Sequence, residues 1–215
     1  MTSHEFGAFK MEVEEDGVAW IVFSRPPVNA VSISVYEDLG NLCEAIEADS
    51  SIRVAVLNAP AEAKAWCGGA DVNDFVGMTR EKRKERYKFI NSRVPRLGTL
   101  ERPLIAAING ATIGVGVILA GLCDLRVAAE NATFACPEID YGLVGGGSGL
   151  LAHLNVPQAK IREMYLTGAR FTARELEPTG FFNYVLPRDQ VEAKALDLAR
   201  AIAAKSLPAI RARKM

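Results

Sequence analysis

Residues Asn109–Asp124 read NGATIGVGVILAGLCD. Gly110, Gly114 and Gly116 stand at the mouth of a segment whose first two helical turns are wholly apolar, and the preceding Leu104–Asn109, LIAAIN, has the composition of a buried strand. The chain therefore passes here from strand to helix. Glycine at such a junction permits close approach of the backbone, either to a ligand or to a packed neighbour. The side chains behind these glycines bring no acid, base or nucleophile, so chemistry at this point must use backbone N–H groups or residues from elsewhere.

Two phosphate-binding readings fail on spacing. The motif is G-x-x-x-G-x-G, and Leu119 stands where a dinucleotide fingerprint needs its third glycine. A second cluster, GGGSG at Gly145–Gly149, lacks the Lys-Ser/Thr of a P-loop. A third segment, KAWCGGADV at Lys64–Val72, follows the strand-like IRVAVLN of Ile52–Asn58 and leads into a helical turn at Val72–Val76. Free N–H groups thus stand at two helix N-termini. Converging on one point, they would offer two donors and two positive dipole ends to a carbonyl oxygen gaining negative charge, an oxyanion hole without side chains.

The rest of the chain alternates strands with helices, which defines an α/β class. Phe9–Phe23 reads as a hairpin about Glu15-Asp16-Gly17. Ser32–Ala48 reads as a helix carrying Val35, Leu39, Leu42 and Ile46, with Ser32 or Ser34 as N-cap. Ala59–Asp71 reads as a loop and Arg80–Leu97 as one helix. Short strands are expected at Asp124–Ala129, Thr133–Ala135 and the FFNYV segment, and helices after GGGSG, at Pro157–Leu166 and at Arg188–Lys205. Thr172 and Glu175 match a capping box. No linker or fixed-period repeat interrupts residues 1–215, so one domain is expected, with a core over about 10–185 and a helical end over 186–215.

Composition excludes several function classes. Lys+Arg 25 against Asp+Glu 26 leaves a net charge of -1, too little to recruit nucleic acid or an anionic membrane. The basic run Arg80–Lys88, REKRKERYK, has only Tyr87 as an interleaved aromatic and reads as a solvated helix face in which Glu81 pairs with Lys84. Cys43, Cys67, Cys123 and Cys136 form no CxxC pair, and His4 and His153 are the only histidines, so no metal site is expected. The cysteines read as buried, reduced thiols of a cytoplasmic protein. No apolar run spans a bilayer and the N-terminus has no leader pattern.

RPPVNA, VAVLNAP, KAWCGGADV, RPLIAAINGATIGVGVILAGLCDLRVA, ATFACPEIDYGLVGGGSG and YLTGARFTARE stand in an order that resembles the crotonase (enoyl-CoA hydratase/isomerase) superfamily, over about residues 10 to 210. The resemblance implies a spiral of ββα units with C-terminal helices; the family continues beyond a segment like SLPAIRARK with further helices, whereas Met215 stands last here, so the end is expected to be shortened or the pocket completed differently. It implies an acyl-CoA substrate, coenzyme A entering as part of that substrate with no tightly bound cofactor, and a homotrimer or dimer of trimers. The oxyanion-hole N–H groups would be those of Ala70 and Val115, the latter at a place where the family has glycine, so that its β-branched side chain would narrow the pocket. Lys64, Ala65 and Gly68 would line the coenzyme site, and Arg25 either approaches the coenzyme phosphates or is a solvated strand-end charge.

Hydratases of the family use two glutamates. Ile118 occupies the first position and Glu138 the second, so Glu138 is the expected acid/base, its carboxyl raised in pKa beside Phe134, Ile139 and Val144. Gly146 stands where other branches carry an aspartate. Asp140 would share a face with Glu138 if the segment were extended; otherwise it and Asp124 are structural, and His153 reads as a packing residue. The resemblance leaves hydratase and isomerase both open, with a non-catalytic acyl-CoA-binding or RNA-binding homologue as the alternative.

Overall fold

The computed structural model describes residues 2–214, which form two sheets fed alternately by the same strand pairs. Strands β1 (Thr2–Phe6), β2 (Phe9–Val13) and β3 (Val18–Phe23) lead in as an antiparallel meander. The β2–β3 turn is the expected one: Gly17 has φ +84°, a value that strains any residue with a Cβ. β1 is largely exposed and polar, so no alternation announces it, and it exists by pairing with β2.

Helix α1 (Ile33–Ala48) crosses over to β4 (Val54–Asn58), which lies parallel to β3. Three pairs then follow: β4 with β5 (Ala65–Cys67), β6 (Leu104–Ile108) with β7 (Ala111–Ile113), and β8 (Leu125–Ala129) with β9 (Thr133–Ala135). Between the first and second pairs run α2 (Arg80–Arg93) and α3 (Arg96–Thr99); α4 (Val115–Leu122) separates the second and third; α5 (Ser148–His153) and α6 (Gln158–Thr167) come after. β10 (Phe171–Thr172), α7 (Ala173–Leu176), β11 (Tyr184–Leu186), α8 (Val191–Ala203) and α9 (Leu207–Lys214) close the chain. The larger sheet has the order β1-β2-β3-β4-β6-β8-β11 and the smaller β10-β9-β7-β5, so each pair gives its first strand to one sheet and its second to the other. This is the spiral of ββα units.

β4 and β6 are buried along their whole length, which is why VAVL and LIAAI read as apolar runs rather than alternations, and the buried Asn58 that ends β4 donates to Glu192 Oε1 at 2.9 Å. Helix α8 covers β4, β6 and β8 with Val191, Ala195, Ala199 and Ala203, buried side chains four residues apart whose small size lets the helix lie close. Among the described residues no helix is long and apolar enough to cross a membrane. The capping box forms in both directions, with Glu175 N–H donating to Thr172 Oγ1 at 3.2 Å and Thr172 N–H to Glu175 Oε2 at 2.7 Å. All four cysteines are free and buried.

Several expectations need correction. Residues 59–71 are not all loop, because β5 is buried within them and pairs with β7. The stretch at 111–113 is a strand, and the helix starts only at Val115. Arg80–Leu97 is two helices, broken where Pro95 can donate no hydrogen bond. Ser32 is the N-cap of α1, yet its hydroxyl bonds to Ser34 at 2.9 Å instead of capping. The basic run is not uniformly solvated: Arg86 is buried, 3.1 Å from Asp74 and over the Tyr36 and Phe75 rings, while the expected Glu81–Lys84 pair is not among the ion pairs of the described residues.

Candidate active site

The site is built where the smaller sheet delivers its strands to two loops. Beyond β5, Ala70 forms a parallel bridge with Val31: the Val31 N–H donates to Gly69 O at 2.8 Å and the Asp71 N–H to Val31 O at 3.0 Å. The Ala70 N–H takes no part in that ladder and has no acceptor among the described residues. Arg25 steadies the loop from below, donating to Asp71 Oδ2 at 2.7 Å and to Ala30 O at 2.9 Å. Asp71 in turn accepts from the Asn73 N–H at 3.1 Å, and the Arg25 guanidinium holds its carboxyl below the usual carboxylate range. In this structure Arg25 therefore organises the loop, with its side chain still 37% exposed.

Val115 opens α4, and its N–H likewise has no acceptor among the described residues, as expected for a first helical turn. Gly114 precedes it at φ 53° and ψ -114°, outside the ordinary range of L-residues. The two loops touch. A Cβ placed on Gly69 would lie 3.2 Å from Ile113 O, and one on Gly116 would lie 2.9 Å from the Cys67 Cβ, so glycine permits the approach at both points. Val115 is accommodated by turning its side chain into the core, where it is 8% exposed.

One electrostatic expectation fails. The helix after Ala70 is a single 3-10 turn, Val72–Phe75, whose N-cap Asp71 is itself anionic. It adds no useful positive dipole, and the Ala70 N–H acts as a local donor only. The eight-residue α4 retains its dipole.

Glu138 reaches this point from a 3-10 turn, Pro137–Tyr141, that follows β9. A Cβ on Gly114 would lie 2.7 Å from Glu138 Oε1, which places the carboxyl against the residue just before Val115. Gly145 packs on its other side, at 3.0 Å from Cδ by the same measure. Oε2 is buried with no hydrogen-bond partner. Burial pushes the Glu138 carboxyl up from its ordinary value, suiting it to hold and release a proton. The apolar neighbours responsible differ from those expected: Phe134 is fully buried, but Ile139 is 47% and Val144 91% exposed. Because the segment is a 3-10 turn rather than extended, Asp140 does not share the Glu138 face and lies beside Gly168 instead.

Ile118, half-buried one turn into α4, faces Gly146 and Gly147. Gly146 is exposed, and its carbonyl accepts from the Tyr165 hydroxyl at 2.7 Å. Tyr165 escaped sequence reasoning because REMYLTG reads as an ordinary helix end. Gly68 is held against Val28 O, and the Ala65 carbonyl accepts from Asn29 Nδ2 at 3.0 Å, while Lys64 is exposed at the entrance to β5. Asp124 is structural, accepting from the Leu104 N–H at 2.7 Å and from Lys214 Nζ at 2.6 Å. His153 is exposed at the end of α5, not a packing residue. Among the described residues no three His, Cys, Asp or Glu side chains are grouped to hold a metal ion.

The Glu138 carboxyl, raised by burial, thus lies against Gly114, the residue before Val115. Comparison with known proteins agrees in class. The family model described as enoyl-CoA hydratase/isomerase matches residues 13–215. A putative enoyl-CoA hydratase/isomerase of Bacillus subtilis (strain 168), YngF, is 34% identical over 202 residues, covering 93% of this chain and 77% of its own. A (7aS)-7a-methyl-1,5-dioxo-2,3,5,6,7,7a-hexahydro-1H-indene-carboxyl-CoA hydrolase of Mycobacterium tuberculosis (strain ATCC 25618 / H37Rv) is 35% identical over 205 residues, covering 93% and 80%. The solved enoyl-CoA hydratase of Bacillus anthracis superposes with a TM-score of 0.89 at 30% identity, over 96% of this chain and 81% of that one. The chain belongs to the enoyl-CoA hydratase/isomerase family.

Proposed function

We propose that this protein moves a proton at the α-carbon of an acyl-CoA thioester, with Glu138 as the one acid/base and the Ala70 and Val115 N–H groups holding the thioester oxygen. The observation that carries the reading is the seat of Glu138, against the residue preceding Val115 and with one carboxyl oxygen buried and unpartnered. For a 3-enoyl-CoA, the Glu138 carboxylate takes an α-proton, the C–H electron pair forms the enolate, and negative charge gathers on the thioester oxygen between the two donors. Return of that proton to the γ-carbon leaves the 2-enoyl thioester. One carboxyl suffices for this double-bond shift. Hydration in the two-glutamate manner needs a second group, and Ile118 supplies none.

Coenzyme A would enter as part of the substrate, past Lys64, Ala65 and Gly68. Purified protein is assayed with 2-enoyl, 3-enoyl and β-hydroxyacyl-CoA thioesters. Glu138→Gln is expected to lower turnover of the 3-enoyl substrate by about 10²–10⁴-fold, the usual contribution of a general base, with acyl-CoA affinity retained. An unchanged rate overturns the assignment. Acyl-CoA binding with no turnover of any thioester by the parent protein would mark it as a non-catalytic binder.

A further inference from the structure

The stretch Val144–Gly147, VGGG, forms the wall of the site opposite α4. Three consecutive glycines are the segment least able to hold one conformation unaided, because each loses the most backbone freedom on ordering. Yet this segment lies in close contact with both side chains that define the chemistry: Gly145 with the Glu138 carboxyl, and Gly147, at φ +91°, where a Cβ would be 2.6 Å from Ile118 Cγ1. Among the described residues, the backbone groups of 144–146 make a single hydrogen bond, from the Tyr165 hydroxyl to Gly146 O. The neighbouring bonds, Leu143 N–H to Glu138 O and Leu151 N–H to Gly147 O, hold the flanks only.

Tyr165 is well placed to act as a pin. It projects from α6, which packs against the 3-10 turn bearing Glu138, and its ring joins the edge of the hydrophobic core. Its hydroxyl stands 3.1 Å from where a Gly147 Cβ would be. We propose that Tyr165 is a positioning residue for the reaction: by holding Gly146 O it keeps the glycine stretch seated on Glu138 and Ile118, and so sets the width of the acyl pocket and keeps water from the carboxyl.

The groups around Glu138 make that exclusion of water decisive. Tyr165 from α6 and Cys136 from the end of β9 are its titratable neighbours, both pushed up by burial and hence uncharged, the Cys136 thiol to about 12. α4 presents Gly114 and Ile118, and the glycine stretch presents no side chain. Lys160 of α6 is paired with Glu163 at 2.6 Å. Among the described residues no ion pair reaches the Glu138 carboxyl, and burial is the main cause of its raised value.

The test is Tyr165→Phe, which keeps the ring and removes the pin. Hydrogen exchange of the two bonded amides that flank the stretch, Leu143 and Leu151, is expected to quicken by roughly fivefold to tenfold, the loss of about one hydrogen bond, with β4 and β6 unchanged. The Glu138 carboxyl, followed by carbon-13 resonance and identified by its absence in Glu138→Gln, is expected to titrate at lower pH than in the parent. Unchanged exchange at Leu143 and Leu151 together with an unmoved titration overturns the proposal. Both readouts are independent of turnover. The rate readout rests on the proton-transfer reading: kcat for the 3-enoyl thioester is expected to fall more than KM rises, with the acidic limb of the pH profile moving down. If exchange and titration move while the parent protein turns over no enoyl thioester, the pin stands and the activity reading fails.

Discussion

Glu138 shows how one residue's surroundings set its chemistry. Its carboxyl is favoured in the protonated form when folded, so it contributes stability that is fully present below the ordinary value of 4.5 and lost as pH rises through the folded one. Glu138→Gln is uncharged at every pH. It is therefore expected to melt higher than the parent at about pH 8, with the advantage gone below about pH 4, in paired thermal melts across that range. Gly114 is the complementary case, a residue defined by what it lacks. Alanine there would meet a positive φ and a carboxyl oxygen at 2.7 Å, so Gly114→Ala is expected to lose about 1–3 kcal/mol in urea titration and at least roughly tenfold in turnover by displacing Glu138 or Val115.

At the scale of elements, α2 is the helix whose sequence most misleads. REKRKERYK reads as a solvated charged face, and most of it is one. Arg86 differs because Asp74, Tyr36 and Phe75, none of them near it in the run, enclose its guanidinium. Burying that charge is tolerable only with the Asp74 partner and aromatic faces in place. Arg86→Met leaves Asp74 without its cation, though the Ile33 N–H still donates to it. We expect a loss of about 3 kcal/mol by urea denaturation, the low end for a broken buried pair because Asp74 keeps some exposure.

Across the whole molecule, the two sheets must be held in register for the Gly69 and Gly114–Gly116 loops to touch. Asn29 is the clearest tie: its Nδ2 donates to Phe23 O at the end of β3 and to Ala65 O in β5, at 3.1 and 3.0 Å, and its Oδ1 accepts from the Arg25 N–H at 2.7 Å. It also sits at φ 53°, which asparagine tolerates better than most residues. Asn29→Ala strands these buried groups together. A destabilisation of about 2–4 kcal/mol in denaturant is expected, with a larger proportional loss of turnover than of acyl-CoA binding.

Much of this architecture was legible in the chain. Short apolar VAVL and LIAAI read as buried strands, Asp16-Gly17 reads as a tight turn, and the ordered motifs from RPPVNA to FTARE carry the family. These are local properties, written in composition and spacing. Contacts between segments distant in sequence were not legible: the buried Arg86, the role of Arg25 on Asp71, the exposure of Ile139 and Val144, and the hydroxyl of Tyr165 on Gly146. NGATIGVGVILAGLCD by itself determined that a glycine-lined helix mouth would offer N–H groups and no acid. Only the tertiary structure decided how closely Gly114 and Gly145 press on the Glu138 carboxyl and how far it is buried, because burial and close approach depend on the packing of all the segments at once.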